Sequence, residues 1–362
     1  MIRLLVVDDS ALMRKLLGAV FAAQADFEVA VARDGVEALA MQAAFRPDVI
    51  TLDVNMPGLD GLACLDRIML ERPCPVVMLS SRTAEGAEVT LDALGRGAVD
   101  FVAKPTGAIS LAIEEFGPRL VQKVRAASKA RLRPTHRLVE RVRARHIGAP
   151  GPAPRQAVHH SAEGQARQVA RRLGGIVLVG ASTGGPPALD ALLSELPGDF
   201  AWPIVVAQHM PGSFTGPLAR RLDGLCALAV QEVTRPVVLE PGHVYIGRGD
   251  ADVIITRRPA GLGAAPAPSH PDHPWHPSVD RLVETALAHV EADRIVGILM
   301  TGMGRDGARS MTEMRARGGV TLAEAEETSV VWGMPGELVR AGGASVVAPL
   351  DTLAAELLRL VP

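Results

Sequence analysis

Short aliphatic runs alternate with amphipathic stretches along most of the chain, and this rhythm limits the possible folds more than any single residue does. From Ile2 to about Lys123 the runs read IRLLVV, FEVAVA, PDVITLD, PVVMLS and AVDFVA. Runs that are aliphatic throughout suit strands buried on both faces, and the stretches between them suit crossover helices. The spacing predicts five strands and about five helices in one small doubly wound α/β unit. Aromatic residues make up only 3% of the chain, with a single tyrosine. The cores must therefore be built from Leu, Val, Ile, Ala and Met, as buried parallel sheets commonly are.

The rhythm then stops. Residues 124–172 are crowded with Arg, Pro, Ala and His and carry only Glu140 and Glu163 as acids. KVRAASKARL can extend the preceding helix, whereas GAPGPAPRQ cannot form a packed element. From Gly174 the alternation resumes, with GGIVLVGAS, PIVVAQH, VVLEPGHVYIG, ADVIIT, RIVGILMTG and GGVTLAEA as strand candidates. The expected organisation is a first domain over residues 1–122, an Arg/Pro-rich linker over 123–174 and a second, mostly parallel α/β domain over 175–362. The length of 362 residues and 48% hydrophobic content are enough for two separately cored domains.

The balance of 38 basic and 40 acidic residues leaves a net charge of -2, which gives no whole-chain reason to expect nucleic acid or an acidic membrane as partner. Three cysteines, Cys64, Cys74 and Cys226, form no C-x-x-C pair, which argues against a disulfide framework or thiolate zinc site and fits a reducing cytoplasm. No apolar run approaches a bilayer span, and the start turns acidic after a short run, so a soluble, unprocessed chain without membrane insertion is expected. Nothing demands more than a monomer.

In an open α/β sheet the strand carboxyl ends line the functional crevice. Asp8 and Asp9 close the first strand and Asp53 closes the third. Three convergent carboxylates repel one another unless a cation joins them, and oxygen ligands of this kind suit Mg²⁺. Ser80 ends the fourth strand and Lys104 follows the fifth, which together make a phosphoryl-transfer site. The sequence DD, then TLDVNMPGLDG, LSS and DFVAKP, resembles the response-regulator receiver family over residues 1 to about 122. That resemblance implies a flavodoxin-like fold with Asp53 as acceptor of a phosphoryl group from a histidine kinase. It further implies that Asp8, Asp9 and Asp53 hold Mg²⁺ with the Asn55 backbone, that Ser80 senses the phosphate and Lys104 contacts it, and that Phe101 repacks on activation.

In the second domain, Gly180-Ala181-Ser182-Thr183-Gly184 directly follows the apolar run IVLV, which presents a hydroxyl on a sharp strand-to-helix turn. G-x-S-x-G alone is a weak signal, and a glycine-rich turn at a helix start also suits a phosphate. His209 and Asp306 each follow a later strand, so one sheet edge gathers Ser, His and Asp. A serine hydroxyl needs an adjacent imidazole to take its proton, and a carboxylate must fix the imidazole tautomer. The chain order Ser–His–Asp differs from that of α/β-hydrolases, where the acid precedes the histidine. VGASTGG, VVAQHMP, PSVDRL, LMTGMGRDGA and VVWGMP, in that order, resemble the catalytic domain of the chemotaxis protein-glutamate methylesterase family (CheB).

By that resemblance Ser182 is the nucleophile, His209 the general base and then acid, and Asp306 the orienting carboxylate. Thr183 and Met303 belong to the oxyanion and substrate loop. The implied reaction is hydrolysis of glutamate methyl esters on methyl-accepting chemotaxis receptors, with deamidation of receptor glutamine as a second activity and no cofactor at the triad. The receiver is expected to cover the triad cleft until Asp53 is phosphorylated. The chain departs from the family pattern at Asp250-Ala251-Asp252, where a His is expected, at His276-Pro277, where an Arg often stands, and at Ala323-Glu324-Ala325-Glu326-Glu327, where an amide-bearing residue is expected. His270, His273 and His276 invite a metal reading, but the intervening prolines prevent helical stacking of the imidazoles. Two other functions remain in view: a regulator acting only by binding, and a constitutive esterase with a structural receiver.

Overall fold

The computed structural model describes residues 1–81, 83–105, 109–132 and 174–361, which form two compact units. The linker expected over 123–174 lies largely outside the described residues.

In the first unit, strands β1 (Ile2–Val7), β2 (Phe27–Ala32), β3 (Val49–Asp53), β4 (Val76–Ser80) and β5 (Asp100–Ala103) form one parallel sheet in the order β2-β1-β3-β4-β5. Helices α1 (Ala11–Ala22), α2 (Gly35–Phe45), α3 (Gly61–Glu71), α4 (Ala84–Gly95) and α5 (Ile109–Ala127) connect and cover it. β3 and β4 are buried at every residue, as their uninterrupted aliphatic sequences require. The first four helices start where a short polar side chain satisfies a free amide: Ser10, Asp34, Asp60 and Thr83 each accept a hydrogen bond from the N–H three residues on, a cap contributing about 1 kcal/mol. The last helix runs to Ala127, so the basic KVRAA segment continues it.

The second unit has a seven-stranded sheet, every pair parallel, in the order β15-β14-β13-β6-β7-β10-β8. Its strands are β6 (Ile176–Ala181), β7 (Ile204–Gln208), β8 (Ala229–Val233), β10 (His243–Gly247), β13 (Ile295–Leu299), β14 (Val320–Glu324) and β15 (Val346–Ala348). A separate antiparallel sheet joins β9 (Val237–Val238), β11 (Asp252–Arg258) and β12 (Gly261–Ala267). VVLEPGHVYIG, read above as one strand, is in fact two: Pro241 lacks an N–H for a ladder and Gly242 has φ +75, so the chain turns there and its halves join different sheets. Strands β8, β12 and β15 had no clear signal, being short, alanine-rich or half exposed.

The helices of this unit are α6 (Gly185–Leu193), α7 (Gly212–Leu225), α8 (Val279–Leu287), α9 (Ala308–Ala316), α10 (Met334–Arg340) and α11 (Leu350–Leu360). Helix α8 buries Val279, Leu282, Val283, Ala286 and Leu287, the apolar stripe of an amphipathic helix on a sheet. They join a core containing Ile176, Leu178, Val205, Tyr245, Leu299 and Met311. This packing fixes the amino end of α8 against the sheet's carboxyl edge.

Candidate functional site

At the carboxyl edge of the first unit, Asp8, Asp9 and Asp53 offer oxygens that all lie within 4.8 Å of one another. Asp8 and Asp53 are buried and Asp9 is exposed. Lys104 Nζ lies 2.8 Å from Asp8 Oδ2 and 2.8 Å from Asp53 Oδ2. Burial pushes the Asp53 carboxyl upward, and the ammonium of Lys104 offsets only part of that. Burial also acts against the charged form of Lys104, yet its bonds to Asp53 and Asp8 hold its proton more firmly than usual.

Three carboxylates facing one ammonium leave uncompensated negative charge, with hard oxygen donors, one of them solvent-facing. These residues fit a hydrated Mg²⁺. The Asn55 amide donates to Asp53 Oδ1 at 3.4 Å, which places the Asn55 backbone beside the cluster. Ser80 lies at the strand end as expected, but its hydroxyl donates to the Gly86 carbonyl at 3.1 Å and accepts from Thr90 at 2.6 Å, so it is held by α4. Phe101 is buried, with Lys123 Nζ 5.2 Å from its ring centre.

In the second unit the register of β6 on β7 pairs Ala181 with Gln208, so the next residues, Ser182 and His209, leave adjacent strands side by side. Gly184, with φ +78, opens the turn into α6, and a side chain there would collide with Val330. Thr183 is buried at the same turn. Asp306 reaches the edge from the loop after β13. His209 Nε2 lies 2.8 Å from Asp306 Oδ2. Asp306 also accepts from the Ser278 hydroxyl at 3.1 Å and from the Val279 and Asp280 amides at 2.7 and 3.0 Å, at the amino end of α8. Burial alone would raise its carboxyl, but these bonds, that of His209 foremost, outweigh it and hold Asp306 below the usual carboxylate range.

An ionised Asp306 can only accept, so Nε2 carries the imidazole proton and Nδ1 keeps a lone pair. Nδ1 is buried and has no partner among the described residues. A hydroxyl nucleophile would be served by this nitrogen. The turn after β13 closes on Ser182: the Ser182 amide donates to the Thr301 carbonyl at 3.0 Å, and a side chain on Gly302 would strike the Ser182 Cβ at 2.8 Å. The Gly302 amide is committed to the Val331 carbonyl, so it is not the donor that this turn could offer an oxyanion.

Comparison with known proteins bears directly on this edge. The CheB methylesterase family matches residues 177–357 and the response regulator receiver domain matches residues 4–113. The protein-glutamate methylesterase/protein-glutamine glutaminase 2 of Rhodopseudomonas palustris (strain BisB18) is 55% identical, covering 99% of this chain and 98% of its own. A relative from Rhodospirillum rubrum, named protein-glutamate methylesterase/protein-glutamine glutaminase 3, is 50% identical over 99% of this chain and 95% of its own.

The chain belongs to the CheB methylesterase family. It is an enzyme of that family, a hydrolase with a receiver domain at its amino side. The crystal structure of the Thermotoga maritima CheB methylesterase catalytic domain is similar at 36% identity with a TM-score of 0.50, covering 52% of this chain and 99% of that one.

Two of the departures from the CheB pattern, Asp252 and His276, partner each other in the structure. Asp252 is fully buried and accepts from His276 Nδ1 at 2.9 Å, the Ser278 amide at 2.8 Å and Arg281 at 2.7 Å. Despite burial, these bonds hold its carboxyl below the usual range. The pair anchors the segment that delivers Ser278 and Val279 to Asp306. The three histidines read as a metal candidate instead face three different carboxylates: His270 faces Asp272, His273 faces Glu284 and His276 faces Asp252.

Three further residues border this edge, and of these the sequence marked only Glu324, within the 323–327 departure. Trp275 stacks on His209, with centroids 6.3 Å apart and planes at 10°. Gln208 donates through Nε2 to the carbonyls of both Ser182, at 2.9 Å, and His209, at 3.2 Å. Glu324, at the end of β14, accepts the Thr301 amide at 2.8 Å. Trp275 lay in a segment read only for its histidines. Gln208 and Glu324 end aliphatic strands; for Gln208 that carboxyl-edge position was the single available clue.

Proposed function

We propose that this chain is a phosphorylation-activated protein-glutamate methylesterase, and protein-glutamine glutaminase, that demethylates chemoreceptors during chemotactic adaptation through Ser182, His209 and Asp306. The observation that carries the reading is the His209–Asp306 pair, set beside Ser182 with the second imidazole nitrogen unpartnered. Ser182 Oγ attacks the γ-carbonyl of a glutamate methyl ester as His209 Nδ1 takes its proton. Negative charge moves to the carbonyl oxygen, where the Met303 amide supports it; a donor so placed contributes about 3 kcal/mol. His209 then protonates the departing methoxide, methanol leaves, and water, activated by the same nitrogen, releases glutamate and restores Ser182. With glutamine as substrate the leaving group is ammonia.

Asp53 is the phosphoryl acceptor from a chemotaxis-type histidine kinase. Asp8, Asp9, Asp53 and the Asn55 carbonyl would hold Mg²⁺, which when bound neutralises charge on the transferred phosphoryl group. Lys104 and Ser80 contact the phosphate, and Phe101 repacks. The domains assigned are a receiver over 1–122, a linker over 123–174 and a catalytic domain over 175–362, acting as a cytoplasmic monomer. No described helix is long and apolar enough to cross a membrane. Phosphorylation shifts a population towards an uncovered triad.

The test is release of labelled methanol from methylated receptor cytoplasmic fragments, with and without a small-molecule phosphodonor and Mg²⁺, alongside Ser182→Ala. Release that rises with phosphodonor and disappears in the variant is expected. Turnover unaffected by Ser182→Ala removes the triad, and folded protein inactive on several receptors removes the esterase.

A further inference from the structure

Glu324 is completely buried at the carboxyl end of β14, beneath the turn that borders Ser182. Its Oε2 accepts the Thr301 amide at 2.8 Å, while Oε1 is buried with no hydrogen-bond partner. Thr301 is the hub of the turn. Its carbonyl accepts the Ser182 amide, and its hydroxyl donates to the Thr183 carbonyl at 2.9 Å and accepts the Val331 amide at 3.0 Å. Trp332 Nε1 donates to the Glu324 carbonyl at 2.9 Å, and Gly302 bridges to Trp332. Both backbone and side chain of Glu324 thus support the segments that frame the nucleophile and the Met303 amide.

A carboxylate in this place would be an uncompensated charge. No lysine, arginine or histidine pairs with it among the described residues, from its own strand, from the neighbours β13 and β15, or from the 325–333 loop. The groups that face it are the Thr301 amide and the Thr328 and Ser329 hydroxyls. Both hydroxyls are also engaged with the Ala325 carbonyl, and the help that they and the Thr301 amide give the ionised form is smaller than the cost of burying it. A fully buried carboxyl without a counter-charge is relieved by carrying a proton itself.

We propose that Glu324 is a positioning residue that acts in its protonated form: the neutral acid braces Thr301 and keeps the oxyanion turn in place, and ionisation disturbs the turn and sets a negative charge beside the developing oxyanion. Burial also pushes this carboxyl up to about 7, so the transition falls near neutral pH. Above it the acid ionises and turnover falls. The proposal rests on the esterase reading.

The experiment compares pH profiles of methanol release for the phosphodonor-activated full-length protein and its Glu324→Gln variant. Glutamine keeps a neutral acceptor for the Thr301 amide. From about pH 6 to about pH 8.5 the wild-type kcat is expected to fall by roughly tenfold relative to the variant, with little change in KM. Infrared spectra at the lower pH should show a protonated carboxylic-acid band that the variant lacks. Parallel profiles, an inactive but folded Glu324→Gln, or no such band overturns the proposal. Absence of methanol release from the wild type at every pH defeats the esterase reading instead, while the infrared band still decides whether Glu324 holds its proton.

Discussion

At the scale of single residues, the site is governed by where protons sit. Asp306 is kept ionised inside the protein by four donors, and its negative charge fixes Nε2 of His209 as the protonated nitrogen. Asp306→Asn puts an NH₂ group where either the Val279 or the Asp280 amide needs an acceptor, and it also permits the wrong tautomer. A loss of kcat on the order of 10⁴ is expected, measured by methanol release. A carboxylate held below its unfolded value stabilises the fold above that value and loses the contribution as pH falls through its folded value. Asp306 and Asp252 both act this way, so the catalytic unit should lose stability in acid, below about pH 4. Glu324 has the opposite sign: raised to about 7, it costs stability as pH climbs past its unfolded value. Thermal melts should find Glu324→Gln more stable than wild type at about pH 8, by up to about 3 kcal/mol, and close to it at about pH 5.

At the scale of elements, two neighbouring parallel strands of matched register bring Ser182 and His209 to the same edge. That much was legible in the sequence, because each of Ser182, His209 and Asp306 ends or follows an aliphatic run, and a parallel sheet has only one carboxyl edge. What holds the ends together was not legible. Gln208 spans the two turns, yet a polar residue closing an aliphatic run is equally common as a solvated strand end. The Asp252–His276 pair spans 24 positions and reads as two separate departures until the side sheet brings them together. Nor was Pro241-Gly242 taken as a break between sheets, although the missing N–H and the positive φ both favour one there. Gln208→Leu removes both carbonyl bonds, and a fall of about 10–100-fold in kcat with KM nearly unchanged is expected, since turns displaced by about 1 Å spoil attack geometry more than binding.

At the scale of the whole molecule, the two proposed sites lie in two separately cored units, the phosphoryl-transfer candidate on one sheet edge and the acyl-transfer candidate on another. Asp53→Asn should leave basal methanol release close to wild type while removing its rise with phosphodonor and Mg²⁺; a variant still stimulated would place the acceptor elsewhere. The chain's aromatic economy adds an optical consequence. All three tryptophans, Trp202, Trp275 and Trp332, and the single tyrosine, Tyr245, lie in the second unit. Of the three indoles, Trp275 lies on the His209 ring and Trp332 on the turn that borders Ser182. Red-edge ultraviolet excitation therefore illuminates the catalytic cleft and leaves the receiver dark. Any change of emission on phosphorylating Asp53 would be light from the second unit, and its time course would clock the signal's arrival there without a label.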